Sequence, residues 1–211
     1  MKKTLITDRM VKELARHQKT IQIPKDALIT ALARDTAKKL GVSFSIIKEG
    51  APPPSQLALP LNNTVAVGCD HGGYALKQHI LKTLQSMNYT VMDVGTHSAE
   101  AVDYPDFALA VARLVAEGQC FRGIMIDGAG IGSCMVVNKV KGVRGALCYD
   151  ITSAINSREH NDANVLTLGS KMIGETVAEH IVRVWLKTEF GGGRHQKRID
   201  KIVAIETEHL K

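Results

Sequence analysis

From Thr64 onward, short apolar runs bounded by Gly or Asp alternate with longer amphipathic stretches about five times over. This rhythm constrains the fold more than any other feature of the chain. Strands separated by helix-length segments cannot pair through tight hairpins; they lie parallel in one sheet, with the connecting helices laid over its faces. The spacing predicts strands at 64–67, 90–94, 123–126, 144–148 and 165–168. It also predicts a helix over 177–187, a break at Gly191-Gly192-Gly193 and a charged terminal helix. The expected fold class is α/β: a doubly wound, five-stranded parallel sheet in a Rossmann-like three-layer α/β/α arrangement, preceded by a small α+β module. Right-handed crossovers and the reversal of strand order direct any ligand to the carboxyl ends of the strands, where the informative residues are expected.

Upstream, Thr7 is a candidate N-cap for a helical stretch through Met10, Val11 and Leu14, and a β-prone run at 20–23 is stopped by Pro24. Leu28, Leu32, Thr36 and Leu40 recur at helical spacing ahead of Gly41, a helix stop, and 42–47 reads as another strand. Gly50, Pro52, Pro53, Pro54, Ser55 and Pro60 then fit neither a helix nor a central strand, so they form a spacer. The resulting division is a module over 1–48, a Pro-rich linker over 49–63 and a main domain over 64–211. A module of about 50 residues is small enough to need support from a partner.

Composition narrows the function classes. The chain is 45% hydrophobic, yet no run approaches the ~18 apolar residues of a membrane span, and the N-terminus lacks the apolar core of a signal peptide. Four cysteines form no CxxC pair and sit in or beside apolar runs, which suits reduced thiols and a cytoplasmic protein. A net charge of +6 could serve nucleic acid, but only 4% of residues are aromatic and no basic run is interleaved with stacking side chains. Arg194, Lys197, Arg198 and Lys201 gather basic charge that fits a small phosphorylated ligand or a solvated helix face equally well. The histidines include no HExxH, and neither a G-x-S-x-G elbow nor a P-loop lysine is present, so no metal and no cofactor are expected.

Four segments carry candidate chemistry. Gly68-Cys69-Asp70-His71-Gly72-Gly73 puts an acid and an imidazole at a strand end, although Asp70 as a helix N-cap is the plainer reading. Asp127-Gly128-Ala129-Gly130-Ile131-Gly132-Ser133 lets backbone N–H groups approach an anionic oxygen where the next helix starts; the plainer reading is a tight turn packing helix on sheet. Its G-x-G-x-G spacing departs from the dinucleotide fingerprint, although Asp150 stands near the distance of a ribose-binding acid. Ser157-Arg158-Glu159-His160-Asn161-Asp162 ends a helix, with Asn161 as its alternative C-cap role. Arg194 and Arg198 follow a glycine break and suit bidentate capture of a phosphate, or form a surface patch.

Together and in order, Gly68-Cys69-Asp70-His71, Val94-Gly95-Thr96, Asp103-Tyr104-Pro105, Asn138-Lys139, His160-Asn161-Asp162 and Gly192-Gly193-Arg194-His195-Gln196 resemble the ribose-5-phosphate isomerase B and galactose-6-phosphate isomerase family. The match runs from about Thr64 to the C-terminus. The resemblance implies aldose-ketose isomerisation of a phosphorylated sugar through an enediolate. It further implies a homodimer or higher oligomer whose active sites take residues from both subunits. Carried over by motif, Asp70 and His71 contact the sugar, the backbone of Gly128, Gly130 and Gly132 stabilises the enediolate oxygen, Ser133 binds substrate, and His160 assists ring opening with Asn161 holding a substrate oxygen. Arg194 and Arg198 bind the phosphate, joined by Lys171 where the family often has arginine, a point charge in place of a planar fork.

This chain departs from the family at the base. Many members have a cysteine immediately before the glycine loop and others a glutamate at the position of Ser133; here the cysteine position is Asp127, and a threonine two residues on is Ala129. Either Asp127 takes the proton, as a carboxylate can when burial raises its pKa, or the chain is a catalytically silent sugar-phosphate-binding or assembly subunit. A dinucleotide oxidoreductase, with Asp150 on a ribose, is the third reading and leaves His160 and Arg194 unexplained. The N-terminal segments Ile21-Gln22-Ile23-Pro24-Lys25 and Leu32-Ala33-Arg34-Asp35 resemble a short module attached to some bacterial microcompartment enzymes, which implies docking to shell or cargo; a small accessory lobe is the alternative.

Overall fold

The structure, a computed structural model, describes residues 5–6, 11–12, 14–15, 19–23, 27–46 and 63–210. It divides into two compact units, Met1–Leu59 and Pro60–Lys211. In the first, β1 (Leu5–Ile6) pairs parallel with β3 (Leu28–Ile29), and β2 (Thr20–Ile23) pairs parallel with β4 (Ser43–Ile46). Helix α1 (Ala31–Leu40) starts where the Thr30 hydroxyl accepts Ala33 N at 3.1 Å and ends at Gly41, whose φ of 65° is the left-handed stop expected of it. The apolar face is not the one the leucine spacing predicts. Leu28 precedes the cap and belongs to β3, Leu32 and Leu40 are exposed, and α1 buries Ala33, Thr36 and Ala37 against Ile21, Ile23 and Val42. Val11 and Leu14 are helical as expected; Thr7, Met10, Pro24, Ile47 and residues 49–62 of the expected linker lie outside the described residues.

The second unit is the expected doubly wound sheet. Its elements run β5 (Thr64–Cys69), α2 (Tyr74–Ser86), β6 (Thr90–Asp93), α3 (Tyr104–Ala116), β7 (Arg122–Asp127), α4 (Ile131–Val137), β8 (Gly145–Leu147), α5 (Ile151–Glu159), β9 (Val165–Gly169) and α6 (Glu175–Lys187). A 3-10 turn at Gly193–His195 leads into α7 (Gln196–His209). The sheet order is β6-β5-β7-β9-β8, all parallel. Because side chains alternate along a strand, Val65, Val67, Ile124, Ile126, Leu166 and Leu168 face α2, α5 and α6, and Ala66 and Met125 face α3. Full burial of each large apolar side chain contributes roughly 1.5–3 kcal/mol, so both faces are held. Gly123 admits α3 closely: a Cβ there would stand 2.6 Å from Val111 Cγ1.

Strand order reverses between β5 and β7, and the crevice opens there, beyond their carboxyl ends. Both strands run past their expected ends. β5 reaches Cys69 and β7 reaches Asp127, which brings the two motifs side by side.

Candidate active site

Three loops meet at the carboxyl edge. In the first, Asp70 N–H donates to Ile126 O at 3.1 Å, and Asp70 Oδ1 accepts Gly73 N–H at 2.8 Å to start α2. Gly73 is required, since a Cβ would overlap the Ile126 carbonyl. His71 lies exposed at the rim, with Nδ1 accepting from Val102 N at 3.3 Å. Lys77, fully buried, reaches Asp93 Oδ1 at 2.6 Å and Thr96 O at 2.7 Å, and so ties the neighbouring 93–97 loop to α2. Burial pushes the Cys69 thiol up to about 11, against the opposing charge of Lys77.

The second loop is organised by Asp127, 5% exposed. Its Oδ1 accepts from Ala129 N at 2.8 Å and from Gly130 N; its Oδ2 accepts from Ser133 N at 3.1 Å and from Ser133 Oγ. Gly130 and Ser133, expected to face substrate, therefore give their donors to Asp127. The amides of Gly128, Ile131 and Gly132 remain outside the carboxylate's shell. Gly132 lies against Tyr104, whose ring a Cβ would meet at 2.6 Å, and Tyr149 OH donates to Ala129 O at 2.6 Å. The third loop follows β9: Lys171 N–H donates to Gly128 O at 3.0 Å, its stem passes Gly128, and Ser170 Oγ donates to Gly72 O at 2.8 Å. Asp70, His71, Asp127, the glycine loop and Lys171 thus share one edge.

His160, Asn161, Arg194 and Arg198 do not join them. Helix α5 leaves the carboxyl edge after β8 and runs back along the sheet, so its last turn arrives at the amino edge, where Asn164 O accepts Gly123 N at 2.9 Å and Asn164 Oδ1 accepts Arg144 N at 2.7 Å. The six residues of β7 separate the two edges by about 17 Å at ~3.3 Å per step. The expectation that all informative residues crown the carboxyl ends is corrected for these four. His160 rather than Asn161 caps α5.

This second cluster is well built. The rings of His160 and His195 stack with centroids 4.2 Å apart at 9°, Asn156 Nδ2 donates to His160 Nδ1 at 2.9 Å, and Arg194 Nε meets His195 Nε2 at 3.5 Å. Desolvation first, then the positive neighbours His160, Arg194 and Arg198, hold His195 below its ordinary 6.5. The turn itself is clamped by Asp162, which accepts from Arg158 Nη1 and Arg144 Nη2, each at 2.8 Å, while Arg144 Nε donates to the carbonyls of Asn161 and Asp162. Asn156 and Arg144 carry no motif of their own in the sequence, and the fold places Asn156 on His160 and Arg144 on the 161–162 turn; His195 belongs to the terminal motif, and the fold stacks it on His160.

With two side-chain clusters at opposite edges of one α/β sheet, the comparisons with known proteins place the chain. Residues 65–202 match the ribose/galactose isomerase family, and the chain belongs to it. Ribose-5-phosphate isomerase B of Escherichia coli is 45% identical over 142 residues, 67% of this chain and 95% of that protein. The solved ribose-5-phosphate isomerase B of Clostridium thermocellum is 50% identical, covers 69% of this chain and 99% of its own, and superposes with a TM-score of 0.68. That of Mycoplasma genitalium, solved with bound ribulose-5-phosphate, is 42% identical over 69% of this chain and 97% of its own, with a TM-score of 0.67.

Proposed function

We infer that this chain interconverts a phosphorylated aldose and ketose, of the ribose-5-phosphate/ribulose-5-phosphate type, through an enediolate. The observation that carries this is the meeting of the Asp70, Asp127 and Lys171 loops at the sheet's switch point, in a chain this similar to enzymes of that activity. On this reading Asp70 and His71 bind the sugar and loop amides meet the enediolate oxygen. Lys171, Arg194 and Arg198 hold the phosphate, and His160 and Asn161 serve ring opening. Asp127 stands at the motif position where many relatives carry the base.

Since one chain holds these groups about 17 Å apart, the reading requires a homodimer or higher oligomer in which the His160 edge of one subunit faces the Asp70 edge of another. It also places the enzyme in the cytoplasm, with residues 1–48 docking to a microcompartment. Supporting that role are the resemblance of Ile21–Lys25 to such modules and a family match that begins only at residue 65.

The test is NMR in deuterated water with a panel of aldose and ketose phosphates. Deuterium entering beside the carbonyl, together with interconversion, establishes the isomerase and names its sugar. The occupied shell of Asp127 and the Ala129 exchange favour a second reading, a silent sugar-phosphate-binding subunit. Binding without exchange for every sugar selects it.

A further inference from the structure

Deprotonation next to a carbonyl needs an oxygen that can accept a proton while facing the substrate carbon. Asp127 has no such oxygen to spare: four donors from Ala129, Gly130 and Ser133 occupy both of its oxygens, and all four belong to the loop that Asp127 itself shapes. To take a proton from carbon it must release one of them. Ser133, at the family's glutamate position, is fully buried and its hydroxyl donates to Asp127. Cys69 is held as a neutral thiol, and Cys134 turns its sulfur toward the Gly145 carbonyl at 3.6 Å.

Asp70 differs. Its Oδ1 is fixed by Gly73 N–H at 2.8 Å, which sets the rotamer, while Oδ2 makes no hydrogen bond among the described residues and is not sealed from solvent, although the residue is only 8% exposed. The carboxylate borders the glycine loop: the position of a Cβ on Gly72 lies 3.3 Å from Asp70 Oδ1 and 3.6 Å from Gly128 N. An oriented carboxylate with one unengaged oxygen and an amide outside the Asp127 shell therefore flank the same point at Gly72. These are the two parts that enediolate formation asks for.

We propose that Asp70 is the catalytic base of this chain, and that Asp127 positions the loop. The inference rests on the isomerase reading above. In the aldose-to-ketose direction the C2–H bond breaks and its proton passes to Asp70 Oδ2. The C–H electron pair forms the C1–C2 double bond, and the carbonyl π pair moves onto O1, which the amides of the glycine loop meet. The 2-hydroxyl proton then moves to O1, C2 becomes the carbonyl, and Asp70 returns its proton to C1.

The test compares Asp70→Asn, Asp70→Glu and Asp127→Asn in the full chain. It reads deuterium exchange at saturating sugar phosphate and, separately, binding of ribitol 5-phosphate, which has no carbonyl. Asn retains an oxygen for Gly73 N–H, so the fold at α2 is kept. Expected for Asp70→Asn is an exchange rate at least about a hundredfold lower with ribitol 5-phosphate bound within about threefold of wild type, and partial recovery in Asp70→Glu. A merely sugar-binding Asp70 would weaken binding and leave saturated exchange near wild type, which overturns the proposal. Exchange lost in Asp127→Asn but kept in Asp70→Asn would give the role to Asp127 and leave the isomerase reading standing. No exchange in the wild type would remove both.

Discussion

At the scale of the residue, Asp127 shows how a substitution at one position changes what its neighbours can do. A carboxylate inside a nest of amides is itself the anion that such a nest binds, so it fixes the loop and consumes donors that substrate might otherwise use. Asp127→Ala leaves three N–H groups and a buried hydroxyl without their acceptor. At about 1 kcal/mol or more for each group that water cannot reach, we expect a loss of about 2–4 kcal/mol, measured by urea unfolding. A variant as stable as wild type would mean that the loop repacks. His195 supplies a pH dependence. Its folded value lies below the ordinary 6.5, so as pH falls through that range the unfolded chain takes up a proton that the folded chain refuses. Stability is therefore full above about pH 6.5 and declines below it. His195→Gln should lose less melting temperature than wild type between about pH 7.5 and 5.5; equal losses would put the acid sensitivity elsewhere.

At the scale of the element, the turn between α5 and β9 concentrates buried charge. Arg158 is 1% exposed, stacked over Trp185, and its charge is disfavoured by burial and restored by Asp162. Asp162→Ala strands that charge and should cost about 3–5 kcal/mol, whereas Arg158→Met, which removes the charge and fills the space, should cost much less. Thermal unfolding of both variants decides it, and equal losses would refute an electrostatic role. Elements of this kind were only partly legible in the sequence. The five strands were, because alternation of apolar runs with helix-length segments leaves a parallel sheet few alternatives, and Gly41 was, because a left-handed stop favours glycine. The face of α1 was not: the leucine spacing competes with Ala33 and Ala37, and small residues win where strands approach closely. The motif residues were legible as a set, but the edge each occupies depends on the direction of α5, which spacing alone does not encode.

At the scale of the whole molecule, the two clusters lie at opposite edges of the sheet, so on the proposed reading activity depends on the assembly. A chain with Asp70 at the carboxyl edge and His160 at the amino edge cannot bring both to one five-carbon substrate across the length of β7. If the two edges meet between subunits, then Asp70→Asn and His160→Gln homodimers each carry one defect in every site. A heterodimer of the two carries both defects in one site and none in the other. Random reassembly makes half the dimers mixed, each with one intact site of two, so mixing two inactive variants should restore about one quarter of wild-type activity. Refolding the variants together and assaying isomerisation provides the measurement. A mixture that stays inactive, with heterodimers shown to be present by differential tagging, would require both edges to serve a site within one chain, contrary to the course of α5. Recovery near one quarter would locate the active site between subunits and explain why the structured 157–162 turn is held so firmly without touching the glycine loop of its own chain.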